Sequence, residues 1–413
     1  MIELLAPAGT PAKLRTALHF GADAVYVGLK RLSLRASAGN FGWDELDWAL
    51  AYAHERGRRV YVAVNIQPFD ADFADIEPTL RRLAAAGADG VIVADPGVVA
   101  LARAVAPALP VHLSTQMSVT NAPAARFWAA QGVARICVAR ELSLAQLGAL
   151  TAQAGLRLET FVHGAMCVAW SGRCFTSLYW AGRDPRRGAC AQACRWPFRE
   201  IEDRRRPGAG NPVEADERGT YFFDAKDLCA LPVLDRLVAT GIGALKIEGR
   251  TRSEHYVGAV VDVYRDALDR LAAGDLDGFH AREPRYLAEL ARPTNRGFST
   301  HFLEGPPGAD AYNPAGSMLA RENDFVGTVV RAGPGFVEVE LRNPLRPGAR
   351  VELRDRGLAC ATAVAGEIRA PGGALLDLGR PPQTVRVPLA PDLTVSAGAL
   401  VRFAPPLSAP AGA

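Results

Sequence analysis

No apolar run in the sequence approaches the roughly 20 residues that a membrane-crossing helix needs, and no span is expected. The stretch "MIELLAPAGTPAKL" lacks the charged start, apolar segment and cleavage site of a secretory signal, so a cytoplasmic location is the default expectation. Charge of one sign is also missing: 47 Lys and Arg against 44 Asp and Glu leave a net charge of +3. That balance does not by itself announce a nucleic-acid binder, although a local basic patch is compatible with it. Cysteine is scarce, with 7 in 413 residues, and in a reducing compartment so odd and small a set does not suggest a disulfide framework. The first strand-to-helix turn, "APAGTP", is not a dinucleotide fingerprint. Neither a GxSxG elbow, an HExxH pair nor a papain-type cysteine signature occurs, which leaves hydrolysis without a motif.

What is present is a rhythm. Nearly half the chain is apolar, enough for a sizeable core, and its length suggests two or three domains. Short β-branched runs such as "ADAVYVGL", "RVYVAVNI" and "ADGVIVADP" alternate with amphipathic helices such as "WDELDWALAYAHERG" that end on glycine. Strands without polar alternation are covered on both faces, as in a parallel sheet. About eight such units predict an α/β fold, a TIM-like (β/α)8 barrel over 1–290, with an open doubly wound sheet as the competitor. The rhythm fails in a cysteine-rich insertion over about 167–219, far longer than an ordinary strand-to-helix loop. After a linker at 291–319 the texture becomes short strands broken by Gly and Pro, which predicts a small all-β barrel over 320–407. The tail 408–413 is expected to be disordered.

Five of the seven cysteines gather in or near the insertion. Cys167 and Cys174 have six residues between them, Cys190 follows after fifteen, Cys194 after three more, and Cys229 lies in "DAKDLCAL". A structural zinc usually takes ligands in tight CxxC knuckles, and none occurs here. Wide, uneven spacing of thiols fits an iron–sulfur cluster better. Cys137 and Cys360 are read as small buried apolar residues.

In a barrel the residues at the C-terminal ends of strands line the active face. Those ends carry Asn65, Asp95, Ser114, Thr115, Gln116, Arg140, Glu141, His163, Lys246, Glu248 and Arg250, and Arg35 follows the second strand. His163, Lys246 and Glu248 are the candidate catalytic groups, His163 because imidazole moves protons near neutral pH. Arg35, Asn65, Gln116, Arg140 and Arg250 are the candidate substrate-binding groups, the arginines because their fork matches a carboxylate. In "GRDPRRGACAQACRWPFR", Arg183, Arg186, Arg187, Arg195 and Arg199 lie among Trp180, Trp196 and Phe198. Guanidiniums bind phosphate and aromatic rings stack unpaired bases, so this run is a candidate RNA-binding surface.

The stretches "ELLAPAG", "GADAVYVG", "SLRASAGNF", "HLSTQMSVTN", "HGAMCVAWSGRC", "GRDPRRGACAQACRW", "DAKDLC" and "LKIEGR" resemble the signatures of the collagenase-like peptidase family U32. The resemblance runs from residue 3 to about 270 and continues through "DFVGTVV" into the β domain. It implies less a protease than an oxygen-independent hydroxylase bearing a [4Fe–4S] cluster. The layout is most similar to the branch that converts tRNA wobble uridine to 5-hydroxyuridine with prephenate as co-substrate. Other branches hydroxylate a 23S rRNA cytidine or a ubiquinone precursor, and the family's name keeps a collagenase-type peptidase as an alternative. The resemblance implies Cys167, Cys174 and Cys190 as cluster ligands. For the fourth it favours Cys229, with Cys194 as the alternative. It also implies RNA, not DNA or a membrane, as the partner, and leaves homo-oligomers and accessory proteins open.

Overall fold

The structure is a computed structural model that describes residues 2–35, 38–196, 224–313, 324–390 and 393–405. Its first unit alternates β1 (Glu3–Pro7), α1 (Pro11–His19), β2 (Ala24–Gly28), α2 (Trp43–His54), β3 (Arg59–Val64), α3 (Phe73–Ala85), β4 (Gly90–Val93) and α4 (Pro96–Val105). The alternation continues with β5 (Val111–Leu113), α5 (Ala122–Ala130), β6 (Arg135–Cys137), α6 (Leu144–Gln153) and β7 (Arg157–Ala165). After the insertion, which contains α7 (Thr176–Ala181), come β8 (Asp227–Cys229), α8 (Leu234–Ala239), β9 (Ala244–Ile247), α9 (Glu254–Ala272) and α10 (Leu276–Leu290). Strands β1 to β7 pair in order and in parallel, and β9 pairs with both β7 and β1, which closes an eight-stranded barrel. This is the TIM-like barrel that the rhythm predicts.

Two strands lie outside that ring. The upper part of β7 pairs antiparallel with β8, opposing His163 to Cys229, and β10 (Phe298–Ser299) runs parallel to β8. The helices begin where short polar side chains cap them. Thr10, Asp95, Asn121, Ser143 and Ser253 each accept a backbone N–H of the first turn, and proline opens α1, α4 and α5. Asp95, read from the sequence as a strand-end group, therefore has a local role as the cap of α4, accepting from Val98 N at 3.1 Å.

The main core lies between barrel and helices. The barrel interior is partly polar. Leu5, Ala24, Tyr26, Tyr61, Ala63 and Ile92 form a small apolar plug. Among them runs a buried chain of charges: Arg135 bridges Glu3 and Glu159, and Lys246 Nζ donates to Glu159 Oε1 at 2.8 Å. Tyr61 donates its hydroxyl to Glu3 at 3.0 Å. Buried ions persist only when paired and hydrogen-bonded, and each of these is.

The second unit is an antiparallel eight-stranded sheet between Phe325 and Phe403 with its own apolar cluster. The sequence predicts a barrel here. Among the described residues no pairing joins the two outer strands, so the hydrogen-bonded ladder stays open. This unit is docked on α9 and α10: Asp262 accepts from Gly357 N and Leu358 N, and Glu289 accepts from Arg402 at 2.6 and 3.1 Å. Phe325, Leu358 and Leu400 join the barrel's core cluster. No helix among the described residues is long and apolar enough to cross a membrane.

Candidate active site

A cavity of about 160 Å³ lies at the C-terminal end of the barrel, floored by the strands and roofed by the insertion. Its floor is Tyr26, Ala63, Ile92, Cys137, Phe161 and Lys246, all alternate inward-facing positions of their strands. Its wall carries Arg35, Asn65, Ser114, Gln116, Arg140, Glu248 and Arg250, and its roof includes Cys167, Trp170, Cys174, Cys190 and Cys194. The strand ends named from the sequence thus meet in one place, except for Asp95, which caps α4, and two residues described below.

Asn65 and Gln116 lock each other. Asn65 Nδ2 donates to Gln116 Oε1 at 2.9 Å, and Gln116 Nε2 returns a bond to the Asn65 carbonyl at 3.1 Å. Asn65 Oδ1 also accepts from Leu34 N, which ties the loop after β2 to the rim. Arg140 reaches up into the insertion, donating to the Ala165 carbonyl at 3.0 Å and to Ser171 Oγ at 2.6 Å. Arg35 faces Glu248 at 3.8 Å. Arg250 is buried, and Gly28 makes room for it: a Cβ there would lie 2.0 Å from Arg250 Nη1. Burial lowers the Arg250 guanidinium to about 10, which leaves it charged at neutral pH. Arg250 Nη1 and Arg140 Nε have no hydrogen-bond partner among the described residues. The cavity therefore holds four cations (Arg35, Arg140, Lys246, Arg250) besides Arg186, which is paired with Asp184, against Glu248 on the wall and Glu159 beneath. Such a set suits an anionic ligand.

The four cysteines Cys167, Cys174, Cys190 and Cys194 share the roof. They are close enough to feel one another's charge. Burial, opposed by Arg195 and reinforced by Cys167, Cys190 and Cys174, pushes the Cys194 thiol up to about 11. Cys167 is exposed by surface area but densely surrounded. Desolvation raises its thiol, and Arg140, Arg35 and Arg195 outweigh this and hold it below the ordinary range. Cys229 is elsewhere. It is buried beside Tyr264, outside the cavity lining, and burial raises its thiol to about 11. The resemblance favoured Cys229 as the fourth ligand; the arrangement instead groups Cys194 with the other three.

Among the described residues, no three His, Cys, Asp or Glu side chains converge tightly enough to hold a single metal ion. A cubane makes a different demand, because it spreads four thiolates over four irons. Four thiols around one cavity, with guanidiniums to balance their charge, supply a suitable donor set.

His163 is the first exception. The β7 strand shifts register between Phe161 and His163, so Phe161 faces the cavity and His163 turns outward among Tyr256, Tyr264 and Phe298. Burial, aided by Arg252, lowers its imidazole to about 3. It is neutral and remote from the cavity lining, and the proton-moving role expected of it fails on both grounds. Glu141 is the second: half-buried and outside the lining, its carboxyl is raised by desolvation.

The arginine-rich run is also partly committed. Arg186 is bidentate to Asp184 and lies over Phe175, while Arg187 pairs with Asp72 at 2.7 Å and lies over Phe69. The Arg186 pair is internal to the insertion and the Arg187 pair fastens it to the loop after β3, so neither arginine is free for phosphate. Arg199 and Phe198 lie outside the described residues.

Sequence reading missed Tyr26, Cys137, Glu159 and Phe161. The one available signal was Glu159, a charge set inside the otherwise strand-like run "RLETFV".

Comparison with known proteins places these features. The model of peptidase family U32 matches residues 9–313. Tracing the curated relatives, "tRNA hydroxylation protein P1" of Bacillus subtilis is 37% identical over 85% of this chain and 83% of its own. "tRNA hydroxylation protein P" of Escherichia coli is 34% identical over 85% of each chain. A "Collagenase" of Porphyromonas gingivalis is 30% identical over 82% of this chain and 83% of its own.

Proposed function

The chain belongs to peptidase family U32, and from that premise we propose that it is an RNA-modifying hydroxylase that converts tRNA wobble uridine to 5-hydroxyuridine without oxygen, in the cytoplasm. The observation that carries this reading is one cavity with four thiols in its roof, an excess of cations and the exposed indole of Trp170. The names of the relatives from Bacillus subtilis and Escherichia coli, matched over most of their length, point the same way.

Cys167, Cys174, Cys190 and Cys194 would hold a [4Fe–4S] cluster, which when bound supplies redox chemistry or substrate activation at the cavity roof. The chain's own residues do the rest. Arg250 and Arg140 line the cavity and bring guanidinium charge to a carboxylate-bearing co-substrate, for which prephenate is the reading the resemblance suggests. Lys246, held by Glu159, keeps a fixed positive charge on the floor beneath it. The locked Asn65–Gln116 pair fixes the rim against which a base can be oriented. An extruded base is required, since a stacked one does not reach a pocket of this kind.

A thiol peptidase would need a base beside Cys167. The nearest histidine in sequence, His163, faces the opposite side of its strand.

Two measurements test the proposal. Nucleosides of tRNA from a strain lacking the gene are expected to lose 5-hydroxyuridine derivatives; unchanged levels would reject the substrate, and a change confined to rRNA would move it to cytidine. Anaerobically purified protein is expected to be brown, with about four irons and four sulfides per chain. Cys194→Ala is expected to lose that iron and Cys229→Ala to keep it, and the reverse result would return the fourth position to Cys229.

A further inference from the structure

Half of the large hydrophobic side chains that are exposed among the described residues fall within the insertion: Trp170, Phe175, Leu178, Tyr179, Trp180 and Trp196. Apolar surface gathered in this way marks an interaction site more often than chance exposure does. One of these rings has a special position. Trp170, 46% exposed, lines the main cavity and also a second pocket beside it, formed with Ser118, Thr120, Ala169 and Arg173. Trp170, together with Ala169, therefore stands between two adjoining spaces.

The second pocket has a recognisable chemistry. Arg173 is exposed and its guanidinium makes no hydrogen bond or ion pair among the described residues, although its backbone N–H caps the Trp170 carbonyl at 3.0 Å. Ser118 Oγ donates to the Ser171 carbonyl and keeps its acceptor capacity, and Thr120 Oγ1 stands at the rim. The partition is held in place by Gly172. A Cβ at this residue, whose φ is +82°, would lie 2.7 Å from the Gln116 carbonyl, so only glycine lets the roof approach the rim so closely. A flat ring, a free guanidinium and two hydroxyls next to a reaction cavity match one nucleotide: ring for base, cation for phosphate, hydroxyls for ribose or base edge.

We propose that this pocket holds the nucleotide next to the reacting one, its base stacked on Trp170 and its phosphate on Arg173. The inference rests on the reading of the chain as an RNA-modifying enzyme. Trp170 is here a positioning residue. By stacking the neighbour on one face of the partition it keeps the reacting nucleotide splayed into the cavity on the other.

The test uses the intact, cluster-loaded protein and a fluorescein-labelled anticodon stem-loop RNA. Stacking is worth about 1–3 kcal/mol per base, so Trp170→Ala is expected to weaken binding by roughly 5- to 150-fold, and Trp170→Phe by much less. An RNA with an abasic position beside the target uridine should show the same loss on the wild type and little further loss on Trp170→Ala. Arg173→Gln, a surface change that leaves the fold intact, is expected to lower the dependence of log Kd on log salt by about 0.7, one phosphate contact on a single strand. Wild-type binding of the RNA with unchanged affinity in Trp170→Ala, or additive losses in the abasic pair, would overturn the pocket while leaving the hydroxylase reading in place. Failure of the wild type to bind either this RNA or full-length tRNA would remove both.

Discussion

Glu159 holds two buried cations at once, Arg135 below and Lys246 above, and it owes its charge to them. Desolvation alone would raise its carboxyl, but Lys246 and Arg135 reverse the balance and bring it to about 2. Removing one member of a buried ionic set leaves the others charged and unpaired, which typically costs about 3–5 kcal/mol. Glu159→Gln is expected to lower stability on that scale in urea unfolding; a loss under about 1 kcal/mol would mean that Lys246 and Arg135 find other partners. The residue scale is also where sequence reading is least secure. Lys246, Glu248, Arg140 and Arg250 are legible because each follows an apolar run at a strand end, and all four reach the cavity. His163 satisfies the same rule and faces away, because one shift of register in β7 exchanges the two sides of the strand. Nothing in the local sequence announces such a shift.

The insertion appears in the sequence as a stretch without period, and its elements explain why. The helix α7 has six residues, and the turns at Pro185–Arg187 and Ala193–Arg195 have three each, too short to show a repeat. Its order comes from fastenings instead: Arg187 to Asp72, Gln67 N to the Arg186 carbonyl, and Ser177 Oγ bridging Arg183 and Ala191. Asp72 shows the fastening in its carboxyl, brought down to about 2 by the Arg187 hydrogen bond. A lowered carboxyl contributes stability at pH values above its unfolded range and loses it as pH falls toward 2. A partly exposed pair of this kind contributes up to about 1 kcal/mol. Asp72→Asn is expected to speed tryptic cleavage after Arg183 by about 2- to 5-fold at pH 7. An unchanged cleavage rate would show that the remaining bonds suffice to hold the roof.

Across the whole molecule, the buried histidines set the response to acid, and three of the four are strongly shifted. Burial lowers His112, His163 and His255 to about 3, with Arg135, Arg252 and Arg402 as the next causes. Unfolded, each would titrate near its ordinary value of about 6.5. Below that pH the unfolded chain takes up protons that the folded one refuses, so stability falls with pH by up to about 1.4 kcal/mol per unit for each histidine. Asp262 works in the other sense. Burial raises it to about 6, so its penalty is relieved as pH drops through that value. The buried imidazoles, His301 among them, outweigh the raised carboxyls of Asp262 and Glu141, and the urea midpoint is expected to be clearly lower at pH 5 than at pH 7; equal midpoints would contradict the burial of these imidazoles. The barrel itself was legible because its period repeats eight times. The docking of the β unit was not, since it depends on residues far apart in sequence, such as Asp262 with Leu358 and Glu289 with Arg402.

That docking makes α9 a helix with two owners. Its residues from Glu254 to Tyr264 are buried without a break, one side claimed by the barrel and the other by the β unit. Glu254 receives Arg342 and Thr328, and His255 stacks on Phe325 at 5.5 Å. A gene shortened to the barrel would therefore not yield a smaller version of this protein. It would expose the buried face of Glu254, His255, Gly258 and Asp262 to solvent, and any lineage that sheds the β unit has to rewrite the outer half of this helix in the same evolutionary step.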